Sequence, residues 1–205
     1  MSDSAEIAVV IPCRQGRDSP VVALESLARQ TFTDFVTVVV WDRGRGASWA
    51  RNRGVESTRS RLLLFSDNDV RWRPDAVERL RSALANAPER IGFAYGDYVL
   101  NGALRCPGEF DADRLRRENY IPTMALVRRE AFPGFDETLD RLQDWDLWLT
   151  MLERGATGRY RPGGVLWESW LVREGISGDV GGLRRWIEAV RRKHGLERCA
   201  NNATV

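Results

Sequence analysis

Two carboxylates flank an asparagine directly after a short apolar run, in the stretch Ser66-Asp67-Asn68-Asp69. Because successive side chains of an extended segment point to opposite sides, Asp67 and Asp69 point the same way. Two like charges that close repel each other unless a cation or hydrogen bonds compensate them. A divalent ion with oxygen ligands would do this and could also bridge a diphosphate. An acidic turn before the helix predicted to start at Pro74 is the alternative interpretation.

Histidine, lysine and cysteine are too scarce or too dispersed for several common kinds of active site. The sequence has one histidine, His194, and one lysine, Lys193, both in a basic run that is a poor position for the general base of a nucleophilic triad. A single lysine also argues against Schiff-base chemistry and a Walker-type phosphate loop. Cys13, Cys106 and Cys199 form no Cys-x-x-Cys pair, which argues against zinc and favours a reducing compartment. A bound metal would therefore be held mainly by carboxylates, as magnesium or manganese is.

The elements that must position these residues alternate between strands and helices over the first 95 residues. Apolar runs predict four strands, and apolar residues at helical spacing predict helices between them. This order is typical of a parallel, doubly wound sheet that binds its ligands beyond the carboxyl ends of the strands. The predicted strands cover residues 7–11, 35–41, 61–65 and 91–95, and the helices begin near Ser19, Ala47 and Pro74.

The second half of the chain is predicted to form a smaller mixed region and a final basic helix. Asn101-Gly102 between short apolar stretches indicates a hairpin. A strand is predicted over residues 121–127 and a helix over residues 144–153. The last helix, over residues 179–194, has one apolar face, and its other side carries Arg184, Arg185, Arg191, Arg192 and Lys193.

Six motifs, taken in order, resemble the family 2 glycosyltransferases with the GT-A fold. The resemblance extends over roughly residues 6–175 and is specific through the order of the motifs, since each one is weak alone. It implies an α/β fold with a mostly parallel sheet flanked by helices and a smaller mixed acceptor-side region. The motifs are Val-Val-Ile-Pro (9–12), Gln-Thr-Phe-Thr-Asp-Phe (30–35), Ala-Arg-Asn-Arg-Gly (50–54), Leu-Phe-Ser-Asp-Asn-Asp (64–69), Pro-Gly-Phe-Asp-Glu (133–137) and Gln-Asp-Trp-Asp-Leu-Trp (143–148).

The resemblance implies inverting transfer of a sugar from a nucleoside diphosphate donor, most commonly a UDP-sugar, to an acceptor hydroxyl. Asp69, and with it Asp67, would hold Mn²⁺ or Mg²⁺ against the donor diphosphate, where the metal stabilises the charge of the leaving group. Asn68 would touch the ribose. Asp144 matches the residue usually assigned as the base that takes the proton of the acceptor hydroxyl, and Asp146 is the second candidate.

Further donor and acceptor contacts follow from the same resemblance. Pro12 and Asp42, at the ends of the first two strands, would bind the nucleoside. Arg51 would reach towards the base or the diphosphate, which a guanidinium can contact through two hydrogen bonds. The acceptor-side residues would be Gly134, Phe135 and Asp146.

Two departures from the family pattern concern the base and the metal. Gln143 precedes Asp144 where relatives commonly have glutamate. The stretch 171–177 lacks the histidine that completes the metal shell in many relatives. Glu174 as a substitute ligand, Arg173 at the phosphates, and a water molecule are the three alternatives.

We expect one catalytic domain over residues 1–178, followed by a basic helix and tail over residues 179–205. Within the domain, residues 1–98 would bind the nucleotide sugar and residues 99–178 would form the acceptor side. Since no apolar run approaches the roughly 20 residues that span a bilayer and no secretory signal is visible, we expect a cytoplasmic protein, with peripheral membrane contact as an extension.

The acceptor is left open by the sequence. With 31 basic and 29 acidic residues the net charge of +2 predicts no bulk attraction to nucleic acid. The basic helix is either a solvated face or a contact for an anionic acceptor such as nucleic acid or lipid phosphate. Trp72, Trp167 and Trp170 are candidates for an aromatic platform under an acceptor sugar.

Two other functional classes compete with the glycosyltransferase. A nucleotidyltransferase also places a carboxylate pair after a central strand, but its triphosphate-binding loop is matched only in part by residues 13–17. A non-catalytic module with the same fold could bind a partner through the basic helix. Asp144 separates the last class from the enzymes, because a binding module does not need it.

Overall fold

A six-stranded sheet forms the centre of the computed structural model, which describes residues 5–170 and 180–196. Its strands are β1 (Ile7–Cys13), β2 (Phe35–Trp41), β3 (Leu62–Phe65), β5 (Ile91–Gly96), β8 (Leu126–Arg128) and β9 (Thr157–Arg161). They lie in the order β2-β1-β3-β8-β5-β9, and β8 alone runs antiparallel to its neighbours. The predicted α/β class with a mostly parallel sheet is therefore confirmed.

A second, four-stranded sheet lies beyond the large one. Its strands are β4 (Arg71–Trp72), β6 (Tyr98–Leu100), β7 (Ala103–Arg105) and β10 (Trp167–Ser169), in the order β4-β10-β6-β7. The hairpin between β6 and β7 turns at Asn101 and Gly102, whose φ angles are both positive, at 52° and 77°. This is the hairpin that the Asn-Gly pair predicts.

Helices cover both faces of the large sheet, and alternation along β1 shows why. Ile7, Val9 and Ile11 pack on the side of α1 (Val21–Leu27) and α3 (Ala76–Ala85). Ala8 and Val10 pack on the other side, where the remaining helices lie. These helices are α2 (Gly46–Glu56), α4 (Ala112–Arg117), α5 (Gln143–Glu153) and α6 (Val180–Lys193). Both faces of β1 are fully buried, as a continuous apolar run predicts.

Some predicted elements were wrong in extent and others were missed. The strand predicted over residues 121–127 is β8, only three residues long, because Pro122 has no N–H and the Ile121 carbonyl accepts from the Trp148 indole at 3.0 Å. The strands β4, β9 and β10 and the helix α4 were not predicted, since they are short and their side chains are mostly polar.

The last helix packs onto the domain rather than standing away from it. Val190 is fully buried in the same apolar core as the residues of α5. The predicted boundary between residues 178 and 179 lies outside the described residues, so the division of the chain remains a prediction. Of the helices in the described parts of the chain, none is both long and apolar enough to cross a membrane.

Candidate active site

Carboxylates gather where the parallel strands β1, β2 and β3 end. Burial, followed by the negative charges of Asp18, Asp42 and Asp67, raises the pKa of Cys13, the last residue of β1, to about 11. Parallel strands bring their carboxyl ends to one edge of a sheet, so residues far apart in the chain meet here. Three carboxylates therefore lie close to the end of β1, two of them paired with arginines.

Asp42 ties together the loops that follow β1 and β2. It is only 6% exposed, and its Oδ1 accepts hydrogen bonds from the backbone N–H groups of Gly44 at 3.0 Å and Gln15 at 3.4 Å. Gly44 has a φ of 80°, which favours glycine at this turn. Asp42 and the buried Pro12, which pairs with Val40, therefore fix the shape of this end of the cleft.

Asp67 and Asp69 are close neighbours with different partners. Burial, followed by the charge of Asp67, raises the pKa of Asp69, whose Oδ2 accepts from the Ser169 hydroxyl at 3.0 Å. Asp67 instead forms an ion pair with Arg51 at 2.6 Å. Asn68, between them, is half-buried.

Arg51 connects Asp67 to Gln143, the residue before the predicted base. Its Nη2 donates to Asp67, and its Nη1 donates to the Gln143 side-chain oxygen at 2.9 Å. The side chain is 6% exposed, and its guanidinium lies 5.2 Å from the centre of the Phe135 ring. Gly54 allows this position, since a methyl group there would overlap the side chain of Val10 in β1 and push α2 away.

Asp144 lies in the first turn of α5, one residue after the partner of Arg51. Its Oδ1 accepts from the Asn119 amide at 2.9 Å and from the Trp145 backbone N–H at 2.9 Å. Burial raises the pKa of Asp144, although these two donors and the charge of Arg51 oppose the rise. A carboxyl group with a raised pKa is a stronger base than an exposed aspartate.

The loop around Phe135 packs against α2 and β3 beside Arg51. Asn52 clamps the loop, because its amide donates to the Phe135 carbonyl and its Oδ1 accepts from the Phe135 N–H, both at 2.9 Å. Phe135 is buried edge-on against Phe65 of β3, with ring centres 4.9 Å apart. Gly134 has a φ of 94°, so it provides the turn before this residue.

Asp146 lies on the opposite side of α5 from Asp144, since two residues of an α-helix are about 200° apart. It is 2% exposed and forms ion pairs with Lys193 at 2.7 Å and His194 at 2.9 Å, both at the end of α6. Lys193 also contacts Asp136 at 2.6 Å. Asp146 therefore fixes α5 to α6 instead of facing the cleft with Asp144.

Several residues of this region carry no sequence signal that would have identified them. Asn119, Gln143 and Ser169 each contact a predicted site residue, but only Gln143 stands inside a recognised motif. Asn52 also lies inside a motif, Ala-Arg-Asn-Arg-Gly, of which only Arg51 was predicted as a site residue. Asn119 and Ser169 contact residues that are far away in the sequence, and a single sequence does not reveal such contacts.

The described residues fit a divalent cation that is shared with a diphosphate. In residues 5–170 and 180–196 no group of three His, Cys, Asp or Glu side chains could hold a metal alone. Asp67 and Asp69 supply two carboxylates whose mutual repulsion a cation would relieve. Magnesium commonly binds through one or two carboxylates plus substrate phosphates. The alternatives at Arg173 and Glu174 lie outside the described residues.

The three candidate platform tryptophans differ in exposure. Trp72 is 3% and Trp167 1% exposed, so both belong to the core. Trp170 is 64% exposed.

The predicted basic face of α6 is largely exposed. Arg185 lies over the Trp186 ring, with its guanidinium 5.3 Å from the ring centre. Arg191 donates to the Arg117 carbonyl at 3.3 Å. Arg184 and Arg192 are exposed.

The comparisons with known sequences give one family. The family model described as Glycosyl transferase family 2 matches residues 10–134, more than half of the chain. A Haemophilus influenzae protein, named as an uncharacterized glycosyltransferase, is 24% identical over 191 residues, covering 76% of this chain and 65% of that protein. The pre-mycofactocin glycosyltransferase of Mycobacterium tuberculosis is 28% identical over 145 residues, covering 62% of this chain and 31% of that protein. The chain thus spans less than two thirds of either relative.

A third relative has a more specific name. It is the UDP-Glc:alpha-D-GlcNAc-diphosphoundecaprenol beta-1,3-glucosyltransferase WfaP of Escherichia coli, 20% identical over 189 residues. The match covers 75% of this chain and 72% of that protein.

Solved structures share the fold at low sequence identity. S. aureus TarS 1–349 in complex with UDP-GlcNAc superposes with a TM-score of 0.71 at 14% identity, covering 97% of this chain and 68% of that chain. The mannosyltransferase PcManGT from Pyrobaculum calidifontis, in complex with GDP-Man and Mn²⁺, superposes with a TM-score of 0.64 at 14% identity. That match covers 98% of this chain and 67% of that chain.

Proposed function

Because the chain belongs to glycosyl transferase family 2 and has the GT-A fold, we propose that it transfers a sugar from a UDP-sugar to an acceptor hydroxyl with inversion. UDP is favoured as the donor nucleotide because TarS was solved with UDP and UDP-GlcNAc, and WfaP is named for UDP-Glc. The donor would bind through residues 1–98 and the acceptor through residues 99–178.

One observation supports this proposal above the others. Arg51 contacts Asp67 at 2.6 Å and Gln143 at 2.9 Å, and Gln143 directly precedes Asp144. One buried side chain therefore joins Asp67, proposed for the donor, to the residue that directly precedes the proposed base. Direct transfer would require the sugar of a diphosphate at Asp67 and Asp69 to lie beside Asp144.

The residues divide the chemistry between them. The acceptor oxygen forms a bond to the anomeric carbon as the bond from that carbon to the diphosphate oxygen breaks, and Asp144 takes the hydroxyl proton. Asn119 holds the Asp144 carboxylate in place by its hydrogen bond. Asp42, Pro12 and Asn68 would contact the nucleoside. Phe135 and Gly134 would close the cleft beneath the sugar.

A metal ion is also part of the proposal. Asp69 and Asp67 would hold Mn²⁺ or Mg²⁺ at the diphosphate, where the ion stabilises the charge of the leaving group. Arg51 adds a fixed positive charge on the same side, because it is ion-paired with Asp67.

Thermal unfolding with added nucleotides tests the donor and the metal together. We expect UDP with Mn²⁺ to raise the melting temperature more than GDP with Mn²⁺ or UDP with EDTA, since a ligand that binds only the folded state stabilises it. Asp69→Ala should abolish the Mn²⁺-dependent part of the rise. Asp113→Ala, which removes an exposed acid of α4, should keep it. A rise that is the same with and without Mn²⁺, or that survives Asp69→Ala, would contradict the metal site.

The basic face of α6 supports an anionic acceptor as a second part of the proposal. Arg191 contacts the Arg117 carbonyl at the end of α4, two residues before the Asn119 that holds Asp144. Arg191 therefore lies near the segment that holds the proposed base, and Arg184, Arg185 and Arg192 are exposed on the same helix. Acceptor binding that does not weaken with added salt would count against this contact.

A further inference from the structure

A cavity of about 370 Å³ opens beside Asp69. It is lined by Val22 of α1, Arg71 of β4, and Glu168 and Trp170 at the end of β10, together with Asp69. Its volume lies in the lower part of the range of about 300–1,000 Å³ for small-molecule sites. Asp69 reaches Ser169 of β10, whereas Asp67 reaches Arg51 of α2, so the cavity borders the acid pair on the side away from Arg51.

Trp170 supplies the aromatic ring of this cavity. The ring is exposed to solvent and also packs against a neighbouring turn. Among the described residues it is the most exposed large apolar side chain, at 64%. The Gly102 turn lies against its ring, since a methyl group on Gly102 would come within 3.3 Å of the ring edge. The Asn101 N–H donates a hydrogen bond at 3.0 Å to the carbonyl of Ser169, which precedes Trp170 in the chain. The hairpin turn therefore presents an indole face to solvent without leaving the ring unsupported.

Arg71 and Glu168 complete the lining and are cross-strand neighbours in β4 and β10. The antiparallel pairing of β4 with β10 sets them opposite each other, with 3.5 Å between guanidinium and carboxylate. Trp72 and Trp167, the next pair, point into the core. Glu168 within β10 and Trp170 directly after it both line the cavity.

The chemistry of the lining matches a neutral ring with hydroxyl groups. Arg71 and Glu168 offset each other's charge, and the proposed function assigns Asp69 to the cation, so the rest of the lining offers no net charge to bind an anion. A guanidinium donates hydrogen bonds and a carboxylate accepts them. Arg71 and Glu168, side by side, can therefore bind two neighbouring hydroxyl groups. An indole face packs against the C–H face of a pyranose, and Val22 adds apolar contact.

We propose that this cavity binds a pyranose ring of the acceptor, with its C–H face on Trp170 and its hydroxyl groups on Arg71 and Glu168. The proposal rests on the proposed function and specifies that the acceptor is a carbohydrate. Since the cavity borders Asp69 rather than Asp144, the ring it binds is one at a distance from the reacting hydroxyl.

Fluorine NMR of the full chain labelled with 5-fluorotryptophan tests the binding. The Trp170 resonance is assigned by its loss in Trp170→Phe, and the resonance of Trp41, which is also exposed, by its loss in Trp41→Phe. We expect methyl glucoside, methyl mannoside or methyl N-acetylglucosaminide at millimolar concentration to move the Trp170 resonance and leave Trp41 unmoved. No movement of Trp170, or equal movement of both, overturns the proposal.

Adding uridine or UDP identifies what occupies the cavity. Uridine alone should leave the Trp170 resonance unmoved, and UDP with Mn²⁺ should leave the glycoside titration intact. Movement with uridine but not with glycosides would make the cavity a nucleoside site. Loss of glycoside binding in the presence of UDP would assign it to the donor. Either result overturns the acceptor proposal.

Variants separate this proposal from the proposed function. Because these variants lack the Trp170 resonance, saturation-transfer NMR of the glycoside measures their binding. Trp170→Ala should weaken glycoside binding by about tenfold, the factor expected when one ring contact is removed, and Trp170→Phe by less. Leu104→Ala, at another exposed apolar residue, should bind as the parent does. UDP stabilisation should be unchanged in all three variants. If UDP fails to bind the parent while glycosides move Trp170, the donor assignment fails and the carbohydrate cavity stands.

Discussion

The two sides of helix α5 place the same residue type in opposite surroundings. On one side Asp144 accepts from neutral donors and is influenced by the charge of Arg51 only at a distance. On the other side Asp146 directly contacts two basic side chains of α6. The first arrangement leaves a carboxylate with a raised pKa that can take a proton. The second neutralises its carboxylate and uses it to hold two helices together.

The difference teaches that neighbouring charges, more than position in a motif, decide what an acid does. Both aspartates belong to Gln-Asp-Trp-Asp, and the resemblance named Asp144 as the base and Asp146 as the second candidate. Each prediction below tests whether one side of α5 serves chemistry and the other serves stability.

The largest effect is expected from Asp144→Asn. The amide cannot take the acceptor proton, so kcat/KM for transfer should fall by about 10³-fold, within the range for loss of a general base. UDP stabilisation should persist, because the donor contacts lie elsewhere. Steady-state kinetics and thermal unfolding measure the two effects. Transfer at the parent rate would remove Asp144 from the proposed mechanism.

Arg51→Lys should have the next largest effect. A lysine cannot contact Asp67 and Gln143 at once with the geometry of a guanidinium, so the two parts of the cleft lose their connection. We expect kcat/KM to fall by about 10–100-fold and the UDP-induced rise in melting temperature to shrink. Arg53→Lys, on the same helix but about half-exposed, provides the control and should behave as the parent.

Asp146→Asn should lower stability and leave transfer nearly unchanged, the opposite of what we expect for Asp144→Asn. Removing this buried acid leaves Lys193 and His194 without their shared partner, and we expect a loss of about 2 kcal/mol of unfolding free energy because Lys193 can still reach water. For a chain of this size that corresponds to a fall of about 4–8 °C in melting temperature. Transfer per folded molecule should change by less than about threefold. A stable but inactive variant would show that Asp146 takes part in the chemistry.

The smallest effect concerns the pH dependence of the α5–α6 contact. Burial lowers the pKa of His194, but hydrogen bonds to Asp146 and Glu153 outweigh it and raise the pKa above its usual value. The charged form is therefore favoured in the folded state, so its stabilisation is complete below the unfolded pKa of about 6.5 and is lost as pH rises through the higher folded value. We expect a decline on the order of 0.5 kcal/mol, since Glu153 is largely exposed. Urea unfolding at a series of pH values should show this decline in the parent and not in His194→Gln.

The sequence predicts four of the six strands of the large sheet and the hairpin of the small one, and the reasons are local. The apolar runs of β1 and β3 and the Asn-Gly turn specify their structure within a few residues, whatever the rest of the chain does. The other two strands of the small sheet, β4 and β10, were missed because they are two and three residues long and become strands only through their pairing. The exposed Trp170 and the buried Trp167 could not be told apart beforehand.

The positions of candidate residues were predictable where a motif and a strand end coincide. Asp67 and Asp69 follow β3, and the expected edge of the sheet does gather carboxylates. The separation of Asp144 from Asp146 was not predictable, because it depends on where α6 packs. Likewise, the contact of Asn119 with Asp144 joins residues 25 positions apart without any regular spacing.

Lys193 offers an intrinsic reporter for the attachment of α6. It is the only lysine of the chain, so an acylating reagent finds one side-chain amine besides the terminal one. Burial lowers the pKa of Lys193, but Asp136 and Asp146 outweigh it and raise the value, which keeps the amine protonated and slow to acylate. Loss of the contacts with Asp136 and Asp146 would lower this pKa and speed acylation, so the rate of modification reports on these two contacts without any engineered label.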